Sequence, residues 1–249
     1  MNNQDQRISI ALSPAKAITA LASSIIILVV ALMLWKQQQF ENNILIACNY
    51  YFEHDAYRHF FQFISRFGMG MISVSFAVLV FLSFREKQLA HLSNMFMYAI
   101  FSFALASIAG DLLKEIIGRA RPVAALGELL AQTDLSGSAS FPSGHATKSM
   151  GLALPFAIMT LNKGVITKVF KVVTLVLATL VCYSRIALQK HYLSDVLGGI
   201  ALVLFFTVIA IWVVNLFYKR RNIDEFKLPQ LNKRLALVFV GLAVLLAYI

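Results

Sequence analysis

The sequence predicts an all-α membrane protein: a polytopic helical bundle with six core transmembrane helices and a possible seventh at the C-terminus. Hydrophobic residues make up 59% of the 249-residue chain and charged residues 14%, against about 45–50% and about 25% in soluble domains. The mean hydropathy is +0.74, and the chain contains 20 phenylalanines. A soluble fold would have too little polar surface to cover such a core. This excludes a cytosolic globular enzyme, a disordered protein and a nucleic-acid-binding module.

Six apolar segments follow one another along the chain, and a helix of about 20 apolar residues crosses a bilayer. They are residues 17–35, 67–84, 95–113, 146–161, 172–183 and 196–218. The fourth is short, and the fifth continues its apolar pattern towards residue 188. Residues 235–249 form a seventh span, a re-entrant segment or an interfacial helix, and we favour the span. Because neither an internal repeat nor a low-complexity linker is evident, residues 1–249 are expected to form one integral-membrane domain.

The basic residues indicate how the chain is oriented in the membrane. Lys and Arg number 22 against 12 Asp and Glu, and cytoplasmic loops of membrane proteins carry an excess of Lys and Arg. If the N-terminus lies inside, 13 of the 22 basic residues fall on cytoplasmic segments. The sequence therefore predicts a cytoplasmic N-terminus.

Polar and charged residues interrupt the apolar sequence in three short clusters, and ionisable groups at membrane depth are usually functional. The first, K-x6-R-P, runs from Lys114 to Pro122 at the end of the third span. The second, P-S-G-H, occupies residues 142–145 at the start of the fourth span. The third, S-R-x5-H-x3-D, runs from Ser184 to Asp195, between the fifth and sixth spans. Because successive spans alternate in direction, all three clusters are expected at the same outer face.

The residue types in these clusters are those of a phosphate site. Lys114, Arg121 and Arg185 supply positive charge, and the guanidinium fork matches phosphate oxygens. The backbone N–H groups of residues 143–145 open a helix and can face an anion. No group of carboxylates accompanies them that could hold Mg²⁺. We therefore expect Lys and Arg to provide the positive charge, with no metal ion and no other cofactor.

Two histidines in the clusters are candidates for the chemistry. His191 and Asp195 are four residues apart, so they share a face if the sixth helix has begun by then. A carboxylate bonded to one ring nitrogen fixes the tautomer and leaves the other nitrogen free as a nucleophile. His145 remains as a second imidazole, suited to act as a general acid and then as a general base.

In order and spacing, the three motifs resemble those of the type 2 phosphatidic acid phosphatase superfamily, which also includes the vanadium haloperoxidases. The pattern of spans around the motif-bearing core, residues 95–218, is similar to that of bacterial membrane lipid phosphatases of this superfamily. The resemblance implies that His191 forms a phosphohistidine, that Asp195 orients it and that His145 protonates the leaving oxygen. It also implies that the phosphoryl group is held by Lys114, Arg121, Ser143, Gly144 and Arg185.

The expected function is therefore that of a membrane lipid phosphatase in the bacterial inner membrane, with its site facing the periplasm or exterior. Its partners would be a lipid phosphate substrate and the surrounding lipids, with no nucleic acid; the sequence identifies no protein partner. Undecaprenyl diphosphate is the leading substrate, followed by phosphatidylglycerol phosphate, phosphatidate and lipid A phosphate. The alternatives are a lipid phosphotransferase of the same family, an anion transporter that uses the basic clusters, and a haloperoxidase.

Charged residues beside the motifs have less certain roles. Asp111 lies one helical turn before Lys114, so a structural ion pair is expected between them. Arg119, Lys148 and Lys190 flank the motifs and could either attract an anionic headgroup or be solvated at the surface.

Two further segments could contribute to the site or to the membrane surface. His54 and His59 lie in residues 50–61, which are predicted to form an interfacial amphipathic stretch. The loop of residues 123–140 could be a lid over the site or a passive surface loop.

Overall fold

The computed structural model describes residues 13–50, 55–85, 93–122, 139–159 and 165–220, and in these ranges the chain is helical without strands. The helices are α1 (Pro14–Lys36), α2 (Gln38–Tyr50), α3 (Asp55–Arg85), α4 (Ser93–Ile117), α5 (Gly144–Met159), α6 (Val165–Ala187) and α7 (Leu193–Arg220). The predicted all-α class is confirmed.

Five of the described helices are long and apolar enough to cross a bilayer: α1, α3, α4, α6 and α7. They correspond to the first, second, third, fifth and sixth predicted spans. The fourth predicted span is α5, which has only 16 residues and packs against α4, α6 and α7. Ala146, Ala153 and Phe156 of α5 are completely buried, so this helix lies inside the bundle. The predicted seventh span, residues 235–249, lies outside the described residues.

The polar segment that follows α1 forms a second helix, α2. The N–H of Gln37 caps α1 by donating to the carbonyl oxygen of Leu34, and α2 begins at the next residue. Glu41 and Leu45 of α2 are buried, and α2 packs against α1, α6 and α7. A carboxylate from this polar segment is therefore enclosed in the bundle.

The described part of the predicted interfacial stretch is helical, and its position relative to the membrane surface stays a prediction. Residues 55–61 are the first turns of α3, and Phe61 is buried against Ala187 and Leu188 at the end of α6. His54 lies outside the described residues.

Apolar rings and a few polar contacts hold the helices together. Four phenylalanines from α3, α4, α5 and α6 meet with ring centroids 5.1 to 5.8 Å apart: Phe76, Phe96, Phe156 and Phe170. Hydrogen bonds also connect α7 to its neighbours. Among them are one from the hydroxyl of Ser24 to the carbonyl oxygen of Ala201 (2.8 Å) and one between the Ser102 and Thr207 hydroxyls (2.9 Å). Because water is absent from the hydrocarbon core, such groups must find partners within the protein.

Candidate active site

The three polar clusters meet at one end of the bundle, joined by backbone hydrogen bonds. The N–H of Ser140 donates to the carbonyl oxygen of Arg119 (2.7 Å), which connects the second cluster to the first. The N–H of Ser143 donates to the carbonyl oxygen of Asp195 (2.9 Å), which connects the second cluster to the third. The prediction that the three clusters share one face is confirmed.

Two residues in the left-handed backbone region turn the chain into the site. Gly118 has φ +62° and caps α4 by donating its N–H to the carbonyl oxygen of Lys114 (2.9 Å), as glycine commonly does where a helix ends. Gln189 has φ +55°, which is uncommon for a residue with a side chain. The N–H groups of Lys190 and His191 then donate to the carbonyl oxygen of Arg185. The chain thus reverses within five residues and brings His191 to the start of α7.

His191 and Asp195 form the buried centre of the site. The Nδ1 atom of His191 lies 3.5 Å from Oδ2 of Asp195, and neither side chain is more than 2% exposed. Asp195 lies in the first turn of α7, so the predicted pairing four residues apart is confirmed. Oδ2 of Asp195 also accepts hydrogen bonds from the hydroxyl of Ser140 and from the N–H of Tyr192 (2.9 Å).

Arg119 binds the other carboxylate oxygen of Asp195, Oδ1. Its Nη1 donates to Oδ1 of Asp195 and to the hydroxyl of Ser194, both at 2.6 Å, and its Nη2 donates to Oε2 of Glu41 at 2.7 Å. The Arg119 side chain is only 5% exposed. Both predictions for this residue are therefore wrong: it neither faces solvent nor reaches for a headgroup, because its guanidinium is used inside the protein.

The cations predicted to bind phosphate surround the two imidazoles. An added Cβ at Gly144 would lie 2.9 Å from Nζ of Lys114, so this amine lies directly against the start of α5. Nζ of Lys114 is also 3.3 Å from Oδ1 of Asp111, which confirms the expected ion pair. Arg185 is 5% exposed, and its Nη1 donates to the hydroxyl of Ser65 on α3.

Both imidazoles are held in their neutral form. They lie outside the five membrane-spanning helices. Burial, together with the Arg185 and Arg121 charges, lowers the pKa of His191 to about 4, against the opposing effect of Asp195. Burial also lowers the pKa of His145 to about 3, together with the charges of Arg185, His191, Lys148 and Lys114. At neutral pH each ring therefore has one unprotonated nitrogen, as a nucleophile or base requires.

A basic pocket of about 630 Å³ opens beside the imidazole of His145. His145, Arg185 and Lys190 line it from one side, and residues of α3 line it from the other. The lining residues from α3 are His59, Gln62, Phe63, Ser65, Arg66 and Phe67. Within the described part of the chain, neither Asp nor Glu contributes to this lining. Lys190 is therefore in place to meet an anion, whereas Lys148 is exposed on α5.

Residues 95–221 match the PAP2 superfamily, which is slightly more than half of the chain. The chain belongs to the PAP2 superfamily. It is also similar to the crystal structure of a transmembrane PAP2-type phosphatidylglycerolphosphate phosphatase from Bacillus subtilis, with a TM-score of 0.55 and 22% sequence identity over 85% of this chain and 98% of that chain. At this identity, the likeness supports the fold. The resemblance stated from the three motifs is thus confirmed, and the candidate membrane spans make the chain a membrane member of the superfamily.

Sequence reasoning missed two residues of the candidate site of this PAP2 superfamily member. Ser140 comes from the segment that was interpreted as a lid or surface loop, yet it is completely buried beside Asp195. Glu41 lies far outside the matched residues 95–221. The available signal was weak in both cases: a serine two residues before Pro142, and a single acidic residue just after an apolar span.

Proposed function

We propose that this PAP2 phosphatase hydrolyses a lipid phosphate or diphosphate through a phosphohistidine at His191, on the outer face of a bacterial inner membrane. The observation that carries the proposal is the buried His191–Asp195 pair, with a second neutral imidazole and several cations around it. Phosphoryl transfer needs mainly positioning and charge stabilisation, and these residues offer both.

In the proposed reaction, Nδ1–H of His191 faces Asp195 and Nε2 attacks phosphorus. The P–N bond forms while the bond from phosphorus to the leaving oxygen breaks, and His145 gives that oxygen a proton. Lys114, Arg121 and Arg185 neutralise the equatorial oxygens, with backbone N–H groups of Ser143 and Gly144 beside them. Water, deprotonated by His145, then cleaves the P–N bond and releases inorganic phosphate.

His145 can act as an acid only after the substrate binds. In the empty site burial and the surrounding positive charges lower the pKa of His145 to about 3. A bound phosphate brings negative charge among the same cations, and an opposite charge nearby favours the protonated imidazole. The pKa of His145 therefore rises in the complex, which makes the proton available where the leaving oxygen needs it.

The basic pocket favours a substrate with more than one anionic group. Beyond the motif residues it adds Arg66 and Lys190, which is more positive charge than one phosphoryl group requires. We therefore retain undecaprenyl diphosphate as the leading substrate. Phosphatidylglycerol phosphate, named for the relative from Bacillus subtilis, also carries two phosphate groups and follows closely.

Phosphate release by detergent-purified protein tests the proposal. The substrates are undecaprenyl diphosphate, phosphatidylglycerol phosphate, phosphatidate and lipid A phosphate, with His191→Ala as the inactive control. We expect release from a lipid that carries two phosphates to be fastest. If no lipid releases phosphate while vesicles containing the protein take up inorganic phosphate, the protein is an anion transporter. If the phosphate appears on a second lipid, it is a phosphotransferase.

The proposed orientation can be tested separately. The distribution of basic residues favours an inside N-terminus, so residue 139 should face the exterior. A membrane-impermeant maleimide should label Ala139→Cys in spheroplasts, in a background in which Cys48 and Cys182 are replaced by alanine. Labelling only after the membrane is permeabilised would reverse the orientation.

A further inference from the structure

Glu41 is a buried carboxylate that none of the three motifs contains. It is 1% exposed and lies on α2. Its Oε2 accepts from Nη2 of Arg119 at 2.7 Å, and its Oε1 accepts from the N–H of Ser194 at 2.8 Å. A buried charge is costly unless it is paired and hydrogen-bonded, and here both oxygens are used.

The contacts of Glu41 lead directly to the His191–Asp195 pair. Arg119 binds Glu41 with one terminal nitrogen and Asp195 with the other. The N–H that Glu41 accepts belongs to Ser194, the neighbour of Asp195 in the first turn of α7. Glu41 therefore holds Asp195 in two ways, through the guanidinium and through the backbone.

Two aromatic rings restrict the guanidinium of Arg119 between these carboxylates. Its central carbon lies 4.6 Å from the ring centroid of Trp35 and 4.2 Å from that of Tyr192. A guanidinium held over ring faces has little freedom to rotate out of plane. Its two terminal nitrogens thus point to fixed partners, Glu41 and Asp195, and Oδ2 of Asp195 is left to face His191.

We propose that Glu41 is a positioning residue for phosphoryl transfer, which acts on the His191–Asp195 pair through Arg119; this rests on the proposed function. The charges explain why a third group is needed. Arg119 alone would cancel the charge of Asp195, whereas Glu41, Arg119 and Asp195 together carry one net negative charge. As His191 attacks phosphorus, its ring becomes positive, and that net negative charge stabilises it.

The substitution Glu41→Gln tests the proposal, because it preserves the shape of the side chain and removes its charge. On a soluble aryl phosphate we expect kcat to fall about 10–100-fold, the usual effect of losing an outer partner of a reacting group. KM and the inhibition constant for inorganic phosphate should change less than about twofold, because Glu41 does not contact the phosphoryl site. Glu115→Gln, the same change at an exposed position on α4, is the matched control and should retain the wild-type kcat.

Each outcome decides the proposal. Folded Glu41→Gln protein with the wild-type kcat overturns the proposal. A variant whose kcat, KM and affinity for inorganic phosphate all deteriorate together also overturns it, since that pattern indicates a general structural role. If Glu41→Gln does not fold, Arg119→Lys decides by the same measurements, because it retains the charge but loses the two-nitrogen fork. Failure of the wild-type protein to release phosphate would instead refute the proposed function.

Discussion

A methyl group added at Gly199 should damage the active site without touching any proposed catalytic side chain. Gly199 lies on α7, where that helix crosses the first turn of α5. A Cβ there would lie 2.9 Å from Oγ1 of Thr147, 3.1 Å from the carbonyl oxygen of Ser143 and 3.2 Å from the N–H nitrogen of Thr147. Two of these three atoms belong to the backbone, so the contact cannot be relieved by a change of rotamer.

The size of the effect follows from these distances. Comfortable contacts of a carbon atom begin at about 3.5 Å, so the start of α5 must move by about 0.3–0.5 Å. That turn presents Ser143, Gly144 and His145 to the site, and a misplacement of about 1 Å can reduce the rate about 100-fold. We therefore expect Gly199→Ala to lower kcat/KM about tenfold and to reduce the free energy of unfolding by about 1–3 kcal/mol, as overpacking does.

Initial rates on an aryl phosphate and on a lipid phosphate, together with the Tm in detergent, measure both effects. Gly70→Ala is the matched control, because an added Cβ at that position on α3 has no other atom within 4 Å. The control should retain wild-type activity and be at least as stable as the wild type, since alanine favours a helix over glycine. Gly199→Ala protein that matches Gly70→Ala in both kcat/KM and Tm would refute the reasoning.

Three further predictions concern the chemistry. Chelators should leave phosphate release intact and vanadate should inhibit it, because Lys and Arg stabilise the transferring group; complete loss with EDTA that Mg²⁺ restores would contradict this. His145→Ala should lose about 10²–10⁴-fold on an alkyl monophosphate, whose leaving oxygen needs a proton. On an aryl phosphate the variant should instead show a burst of about one product per enzyme, since the first step needs no acid there. Equal losses of activity on the alkyl and aryl substrates, with no burst, would rule out the role of His145. Burial lowers the pKa of His191 from 6.5 to about 4, so between these values the unfolded chain binds a proton that the native protein does not. Stability should therefore fall by up to about 3 kcal/mol as the pH drops from 6.5 to 4, and the Tm of His191→Asn should fall less steeply over that range.

The sequence by itself determined the features that depend on local spacing. Long apolar runs predict helices that cross a bilayer. In lipid an unpaired peptide group is costly, and a helix pairs all the peptide groups of its interior within itself. The four-residue interval from His191 to Asp195 places both on one face of the chain as α7 begins. Span counting then brought the three motifs to one end of the bundle without any knowledge of helix packing.

Only the tertiary structure decided which residues hold the site together. Glu41 accepts a hydrogen bond from Arg119, which lies 78 positions away in the sequence. Arg185 donates one to Ser65, which lies 120 positions away. A helix that is apolar all round carries no pattern to show which face is packed inward. The partners of its few polar residues therefore depend on how each helix is rotated against its neighbours.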